Sequence, residues 1–184
     1  GNRTRVEESH TGRIIDYTYD GLFRLVQEDI TDPVNGNSIT SYTYDDVGNR
    51  LTKTLGATTT AYTYDDNDRL TSETGITYTY DDNGNQILKT KGANTTTFIY
   101  DVRDKLQEVI DGGQSQGWYG YDYAGMRITK QTGSTTTHYT YDDSSVLVQF
   151  DGAGQTTAKY EYGPDQLLSM NHHTDGRQFY LFDA

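Results

Sequence analysis

This chain has no cysteine, only two prolines and a single tryptophan in 184 residues. Without cysteine there are no disulfides, no thiol nucleophile and no thiolate metal site. Leu, Ile, Val and Phe together make up less than a fifth of the chain, too little aliphatic mass for a thick two-layer core. No apolar run approaches membrane-spanning length. Nor is there a long apolar pattern with a 3.6-residue period, so almost no helix is expected. Basic residues are scarce: the net charge is −12. That disfavours nucleic acid and anionic membrane as partners, because both need a basic patch.

What is abundant is tyrosine, 17 residues of it. All but Tyr123 fall in one recurring phrase, an aromatic, any residue, a second aromatic, then aspartate. It occurs at Tyr17, Tyr19 and Asp20; at Tyr42, Tyr44 and Asp45; at Tyr62, Tyr64 and Asp65; and at Tyr78, Tyr80 and Asp81. It returns at Phe98, Tyr100 and Asp101; at Tyr119, Tyr121 and Asp122; and at Tyr139, Tyr141 and Asp142. Tyr160 and Tyr162 precede Gly163 in place of aspartate, and Tyr180, Phe182 and Asp183 complete the series. The second aromatics stand 25, 20, 16, 20, 21, 20, 21 and 20 residues apart. A fixed period near 20 marks a repeat architecture. Function then concerns what a repeated sheet is for, rather than one active site.

Each period reads as a β-hairpin. In Asp46 to Asp65 a polar turn holds Asp46, Gly48 and Asn49, a short strand starts at Arg50-Leu51, Gly56-Ala57 turns the chain, and a Thr/Tyr run leads to the next aspartate. Thr and Tyr are strand formers, and the runs are strand-sized. The expected fold is all-β: antiparallel hairpins of about 20 residues forming a spiralling sheet or β-solenoid shell. The whole of residues 1–184 reads as one array of about nine repeats with no internal boundary. Both ends cut through repeats, which predicts a piece of a longer array. The insert from Asp32 to Asn37 lengthens one turn, with Asn35-Gly36 a hairpin signal.

The two aromatics of a motif lie two residues apart and share a face, which should be the more buried one. Leu and Ile of the neighbouring strands are expected to fill between them. The aspartate should end the strand and start the turn by accepting backbone N–H bonds. Three residues on, Gly48, Gly84 and Gly125, or Asp68 and Asp104, should take a positive φ.

Tyr-x-Tyr-Asp followed by Gly-Asn-Arg-Leu or a close variant, at this spacing, resembles the YD repeat of Rhs-family proteins over essentially the whole chain. The resemblance implies a sheet that spirals into a hollow shell. In bacterial Rhs proteins and insecticidal toxin complexes such a shell encloses a C-terminal toxin; in animal teneurins a similar barrel serves adhesion. Phe179 to Ala184 looks like the approach to the Rhs-associated core. The plug, protease and toxin of that family have no counterpart in these residues.

The implied function is a non-catalytic, structural shell segment of a large secreted or cell-surface bacterial protein. Its partners would be the remaining repeats and a C-terminal effector, with no nucleic acid and no membrane insertion. Two readings compete: a surface adhesin that binds glycan, and a structural stalk or filament. No nucleophile–base constellation suggests an enzyme. No cofactor is expected. Asp65, Asp66 and Asp68, and Asp81 with Asp82, superficially resemble calcium loops, but the glycine and distal glutamate of an EF-hand are missing. His172 and His173 with Asp175 form no obvious chelate, since neighbours on a strand face opposite ways, and His10 and His138 stand alone. Trp118 and Tyr119, beside Gly117 and Gly120, are the candidate carbohydrate contacts.

Overall fold

A computed structural model describes residues 1–163 and 167–179. Tyr180, Phe182 and Asp183 therefore lie outside the described residues. These contain strands, turns and bends but no helix, and so no helix long and apolar enough to cross a membrane. The chain divides into two compact units, Gly1–Thr79 and Tyr80–Ala184.

The first unit carries β1 (Arg5–Glu8), β2 (Arg13–Tyr19), β3 (Leu25–Thr31), β4 (Ser38–Tyr44), β5 (Arg50–Leu55), β6 (Thr58–Tyr64), β7 (Leu70–Glu73) and β8 (Ile76–Tyr80), which ends at the division. Each strand pairs antiparallel with the next. The second unit carries β9 (Gln86–Lys91), β10 (Asn94–Tyr100), β11 (Leu106–Asp111), β12 (Gln114–Tyr121), β13 (Arg127–Thr132), β14 (Thr135–Asp142), β15 (Ser145–Asp151), β16 (Thr156–Tyr162), β17 (Leu167–His172) and β18 (Gly176–Phe179). These too form a meander of antiparallel neighbours.

Two turn types alternate from β4 to β14, after which Asp143-Ser144 makes a two-residue turn between paired Asp142 and Ser145 and the loop after Asp151 is of the longer type. At one end of the strands are two-residue turns such as Gly56-Ala57, between paired Leu55 and Thr58, and Gly133-Ser134, between Thr132 and Thr135. Their glycines have φ of 56° and 57°. A positive φ at the first central residue is what primed hairpin turns demand, because their twist matches that of the strands. At the other end are the three-residue loops that follow Asp20, Asp45, Asp65, Asp81, Asp101 and Asp122.

The two faces differ as the motif implies. Tyr62 is buried and Tyr64 half-buried, while Thr63 between them is exposed, and Tyr17, Thr18 and Tyr19 repeat the contrast without full burial. On the opposite face hydroxyls pair across strands: Thr43 with Thr52 at 2.6 Å, Thr54 with Thr59 at 3.0 Å, Thr63 with Ser72 at 2.7 Å. The hydrophobic core is correspondingly thin. Among the described residues only Ile15, Tyr62 and Ala158 are buried apolar side chains.

The expected filling by aliphatics holds at the second aromatic, where Tyr19 faces Leu25, Tyr64 Leu70, Tyr100 Leu106, Tyr141 Val146 and Tyr162 Leu167, and fails at most of the first. The first aromatic of a motif faces Glu28 from Tyr17, Lys53 from Tyr42, Glu73 from Tyr62, Lys130 from Tyr119 and Gln149 from Tyr139. Phe98 faces Val109 and Tyr160 faces Met170. Two of the polar heads engage further tyrosines: Glu73 accepts from the Tyr78 hydroxyl and Gln149 donates to that of Tyr160, both at 2.6 Å. Leu51, Ile128 and Leu168 are instead 39, 39 and 44% exposed. Each is the extra residue of a β-bulge, with no partner in the ladder, and a bulge re-aims its side chain.

Candidate functional surface: the aspartate turns and the tyrosine bridges

The bulge recurs in register with the motif. Pairing shifts at Thr18/Tyr19, Thr43/Tyr44, Thr63/Tyr64, Ile99/Tyr100, Gly120/Tyr121, Thr140/Tyr141 and Glu161/Tyr162. A bulge bends the strand and increases its twist. It recurs beside seven of the second tyrosines.

Bending opens a gap on the other side of the tyrosine strand. The β5–β6 ladder runs only from Leu55 and Thr58 to Thr52 and Ala61, and stops short of Arg50. The Tyr64 hydroxyl crosses the opening and donates to the Arg50 carbonyl at 3.1 Å. The same bridge joins Tyr44 to Leu25 (2.7 Å), Tyr100 to Gln86 (3.2 Å), Tyr121 to Leu106 (2.9 Å) and Tyr141 to Arg127 (2.7 Å). Tyr19 bridges to Arg3 at 2.9 Å. In all but this last case the acceptor is the first residue of the preceding strand. A carbonyl left without its ladder partner there would be costly. The second aromatic therefore serves as a hydrogen-bond donor as well as packing mass. In the sequence Phe stands at the first position of one motif, Phe98, and at the second of another, Phe182.

Arginine at the strand start completes the packing. The Arg50 guanidinium lies 5.9 Å from the Tyr42 ring centre and 4.4 Å from that of Tyr62. Arg127 sits likewise between Tyr119 (5.7 Å) and Tyr139 (5.2 Å), and Arg24 covers Tyr44 at 5.0 Å. These cation–π contacts link tyrosines of successive repeats.

The aspartates build the turns. Asp45 Oδ1 accepts from the backbone N–H of Val47, Gly48 and Asn49 at 2.8–3.1 Å, and its Oδ2 accepts from the Asn49 amide. Asp65 accepts from Asn67 and Arg69 N–H, with its second oxygen on Arg69 Nε at 2.7 Å. Asp20, Asp81 and Asp101 do the same with their own turns. In each turn the aspartate N–H donates to the carbonyl four residues on, and the residue three on donates back. This is a type I turn closed by a G1 bulge, which requires a left-handed residue there. Gly48, Gly84 and Gly125 supply it at φ of 106°, 89° and 80°, Asp68 and Asp104 at 60° and 59°, and Phe23 at 62°.

The left-handed aspartates have a reason the sequence did not reveal. Asp68 Oδ1 accepts from the Asn49 side chain of the previous repeat at 2.7 Å. Asp104 accepts from both Asn83 (2.9 Å) and Asn85 (2.8 Å). Elsewhere Arg24 donates to the Asp45 carbonyl and Arg103 to that of Asp122. Neighbouring turns are thus clasped at intervals of one repeat.

These bonds set the protonation of the turn. Hydrogen bonds from Arg24 hold Asp20 below the ordinary carboxylate value, and those from Arg69 and Asn85 do so for Asp65 and Asp81. At Asp45 partial desolvation pulls upward, but the bonds from Asn49, Gly48 and Val47 outweigh it. Desolvation raises Tyr42, Tyr64, Tyr100, Tyr121 and Tyr141 above the usual phenol value.

The turn carboxylates are therefore engaged by their own loops. Among the described residues no group of three or more His, Asp or Glu is placed to hold a metal ion. His172 Nδ1 lies 2.9 Å from Thr174 Oγ1 and 3.2 Å from Asp175, while His138 meets Thr129 and stands apart. The insert wraps Asp32 around its own loop, with Oδ1 accepting from Val34 and Asn35 N–H, and borders a 520 Å³ recess with Arg13 and Glu8.

Trp118 and Tyr119, the candidate carbohydrate contacts, do not form one platform. They are consecutive in β12 and face opposite ways. Tyr119 lies over Gly117 on the tyrosine face, its hydroxyl 2.7 Å from where a Cβ would stand, and Trp118 lies over Gly120.

Comparison with known proteins gives one family, the teneurin YD-shell, matched over residues 2–135. No curated protein matches. Among solved structures, a crystal structure of TcdB2-TccC3-Cdc42 is 16% identical, with a TM-score of 0.50 over 94% of this chain and 12% of that one. TcdB2-TccC3 without its hypervariable C-terminal region is 16% identical, with a TM-score of 0.49 over 89% of this chain and 10% of the other. This chain therefore spans about a tenth of the length of those it matches. At that identity the likeness speaks for the fold.

Proposed function

This chain belongs to the teneurin YD-shell family, and from that premise we propose that it is a stretch of wall in a large secreted or surface-displayed bacterial protein. The wall encloses an effector region at the C-terminal end of the same parent chain. The segment itself is non-catalytic, and its partners are the remaining repeats and that effector.

The observation that carries this reading is the set of bonds spaced by one repeat. A wall must hold each hairpin to the next without a thick core. Tyr64 on the Arg50 carbonyl, Arg50 between two rings, and Asn49 on Asp68 do this in successive layers. The same set recurs at Tyr100, Tyr121 and Tyr141 with Asn83 and Asp104. Stability in such an array sums over neighbours, so no single residue controls an activity. The carboxylates of Asp20, Asp45, Asp65, Asp81, Asp101 and Asp122 are spent on their own turns.

Limited proteolysis of the whole parent protein tests the proposal. The effector region is expected to stay uncut until denaturant opens the repeats. An effector cut as fast in the native parent as when produced alone would refute enclosure, leaving a stalk or an adhesin. Calcium binding at the turns, the weaker expectation, is tested separately by chelation below.

A further inference from the structure

The arginines of this chain differ in how they use their N–H edges. Arg24 and Arg69 give Nε to Asp20 and Asp65 at 2.7 Å, and Arg103 reaches Asp101. Arg50 and Arg127 lie between tyrosine rings of successive repeats instead. Ring faces cover the flat sides of a guanidinium and leave its in-plane donors without acceptors. Arg50 shows the consequence, because its Nε is buried with no hydrogen-bond partner. Both stacked arginines open the same four-residue phrase, Arg50-Leu51-Thr52-Lys53 and Arg127-Ile128-Thr129-Lys130. No other repeat carries it.

In β13 the phrase gathers donors on one face. Lys130 pairs with Tyr119 on one side and Thr137 on the other, and Arg127 pairs with Tyr121. Tyr139, two residues beyond Thr137, shares that face. Tyr119 and Tyr139 stand on the strands either side of β13, about 9–10 Å apart. Among the described residues no carboxylate pairs with Arg127 or Lys130, and no hydrogen bond engages the Tyr119 or Tyr139 hydroxyl. Asp151 stands in the row of Lys130 and Thr137, but its Oδ1 accepts from Ala153 and Gln155 N–H. In a chain with 27 acidic and 15 basic residues, two cations on one face left without a carboxylate are not what chance contact would leave. The β5 counterpart differs at one point. Glu73 faces Tyr62 and borders a recess with Lys53, whereas Gln149 faces Tyr139. A carboxylate thus stands beside the first pair and an amide beside the second.

We propose that Arg127 and Lys130, with the hydroxyls of Tyr119 and Tyr139, bind a tetrahedral oxyanion, a phosphate or sulfate group. Every polar group in this set can donate, and the two cations can only donate, so the fitting ligand is one that only accepts. The planar guanidinium matches two oxygens of such a group, and the ammonium meets another as a point charge. Stacking between two rings holds the arginine in place beforehand, which lowers the entropy lost on binding. The net charge of −12 repels a polyanion, so the site takes a single charged group. The inference stands whether or not the repeats enclose an effector.

Inorganic phosphate, sulfate and methyl phosphate are titrated into the chain at constant ionic strength, with chloride as the reference anion. Heteronuclear NMR reads the Arg127 Nε–H signal. It should move saturably, with a Kd on the order of 1 mM for an open site with few contacts. The Arg24 and Arg69 signals, held by aspartates, should stay in place. Tighter binding of methyl phosphate assigns the site to an esterified group, and tighter binding of the inorganic ions to a free one. Lys130→Gln should weaken binding by about tenfold. Gln149→Glu, which copies the β5 neighbourhood, should weaken it several-fold. Lys91→Gln, at an exposed lysine of β9, should change nothing. Circular dichroism checks that each variant keeps the fold. A shift that stays linear in anion, or one shared equally by Arg24 and Arg69, overturns the inference, as does Lys130→Gln binding as well as the parent sequence.

Discussion

The two ends of each hairpin solve the same problem differently. At the glycine end the backbone ladder continues to the turn itself, as from Thr52 and Ala61 down to Leu55 and Thr58. At the aspartate end a bulge breaks the ladder, and side chains replace it. A carboxylate folds the loop, a phenol bridges the opened strands, and an amide or guanidinium reaches the next turn. Backbone pairing needs only a turn of the right twist. Curvature needs specific side chains, so the recurring motif gathers at the curved end.

Removing the phenol should have the largest effect. Tyr64→Ala deletes a ring and its bridge, and should cost about 3 kcal/mol in denaturant unfolding, the scale of an aromatic core truncation. Tyr64→Phe keeps the ring but strands the Arg50 carbonyl, at about 1 kcal/mol. Thr63→Ser, on the exposed face, should be near neutral. Equal losses for Tyr64→Ala and Thr63→Ser would erase the distinction between the faces.

The aspartate turn is probed next. Asp65→Leu removes three acceptor contacts and should lower the melting temperature clearly. Asp65→Asn keeps the two backbone bonds and loses the one to Arg69, so its loss should be smaller. Substituting Ala57, in the glycine-end turn, by Ser should do less than either. Acid shows the same dependence without mutation. Asp20, Asp65, Asp81 and Asp101 bind protons less readily folded than unfolded. Their stabilisation is present above the unfolded value of about 4 and is lost as pH falls through the lower folded values. The half-buried phenols act at the opposite limit. Their folded pKa values are raised, so their contribution holds below about pH 10 and declines as pH rises through the folded values. A melting temperature flat through both ranges would contradict both assignments.

Phe23→Gly offers a gain. Phe23 is bulky, exposed and at φ 62°, a conformation that costs an L-residue about 1 kcal/mol or more. Glycine should raise stability by about that amount. Asp68→Gly, at a similar φ, should not gain as much, because it loses the bond from Asn49. Equal gains at the two sites would show that the inter-turn clasp is inert. The smallest effect expected is from EDTA, which should leave the melting temperature unchanged. A drop reversed by calcium alone would make the turns ion sites after all.

The sequence by itself determined the hairpin period, the strand-forming runs, the turn positions and which face carries the rings. All of these depend on residues close together in the chain. Alternation places Tyr62 and Tyr64 on one side, and a short carboxylate before a glycine three residues on specifies a turn. Trp118 shows where that reading ended: the tryptophan was visible, but its ladder partners Glu108 and Gln131 come from other strands. The bulge beside each second tyrosine was likewise hidden, because register is a relation between strands. It moved Leu51, Ile128 and Leu168 outward and gave the tyrosine faces Lys53, Glu73 and Lys130 as neighbours. Only the tertiary structure decided that Asn49 meets Asp68 and that Tyr64 reaches Arg50, 19 and 14 residues apart. Such contacts follow from how far the strands splay, which is a property of the curved sheet and of no single repeat.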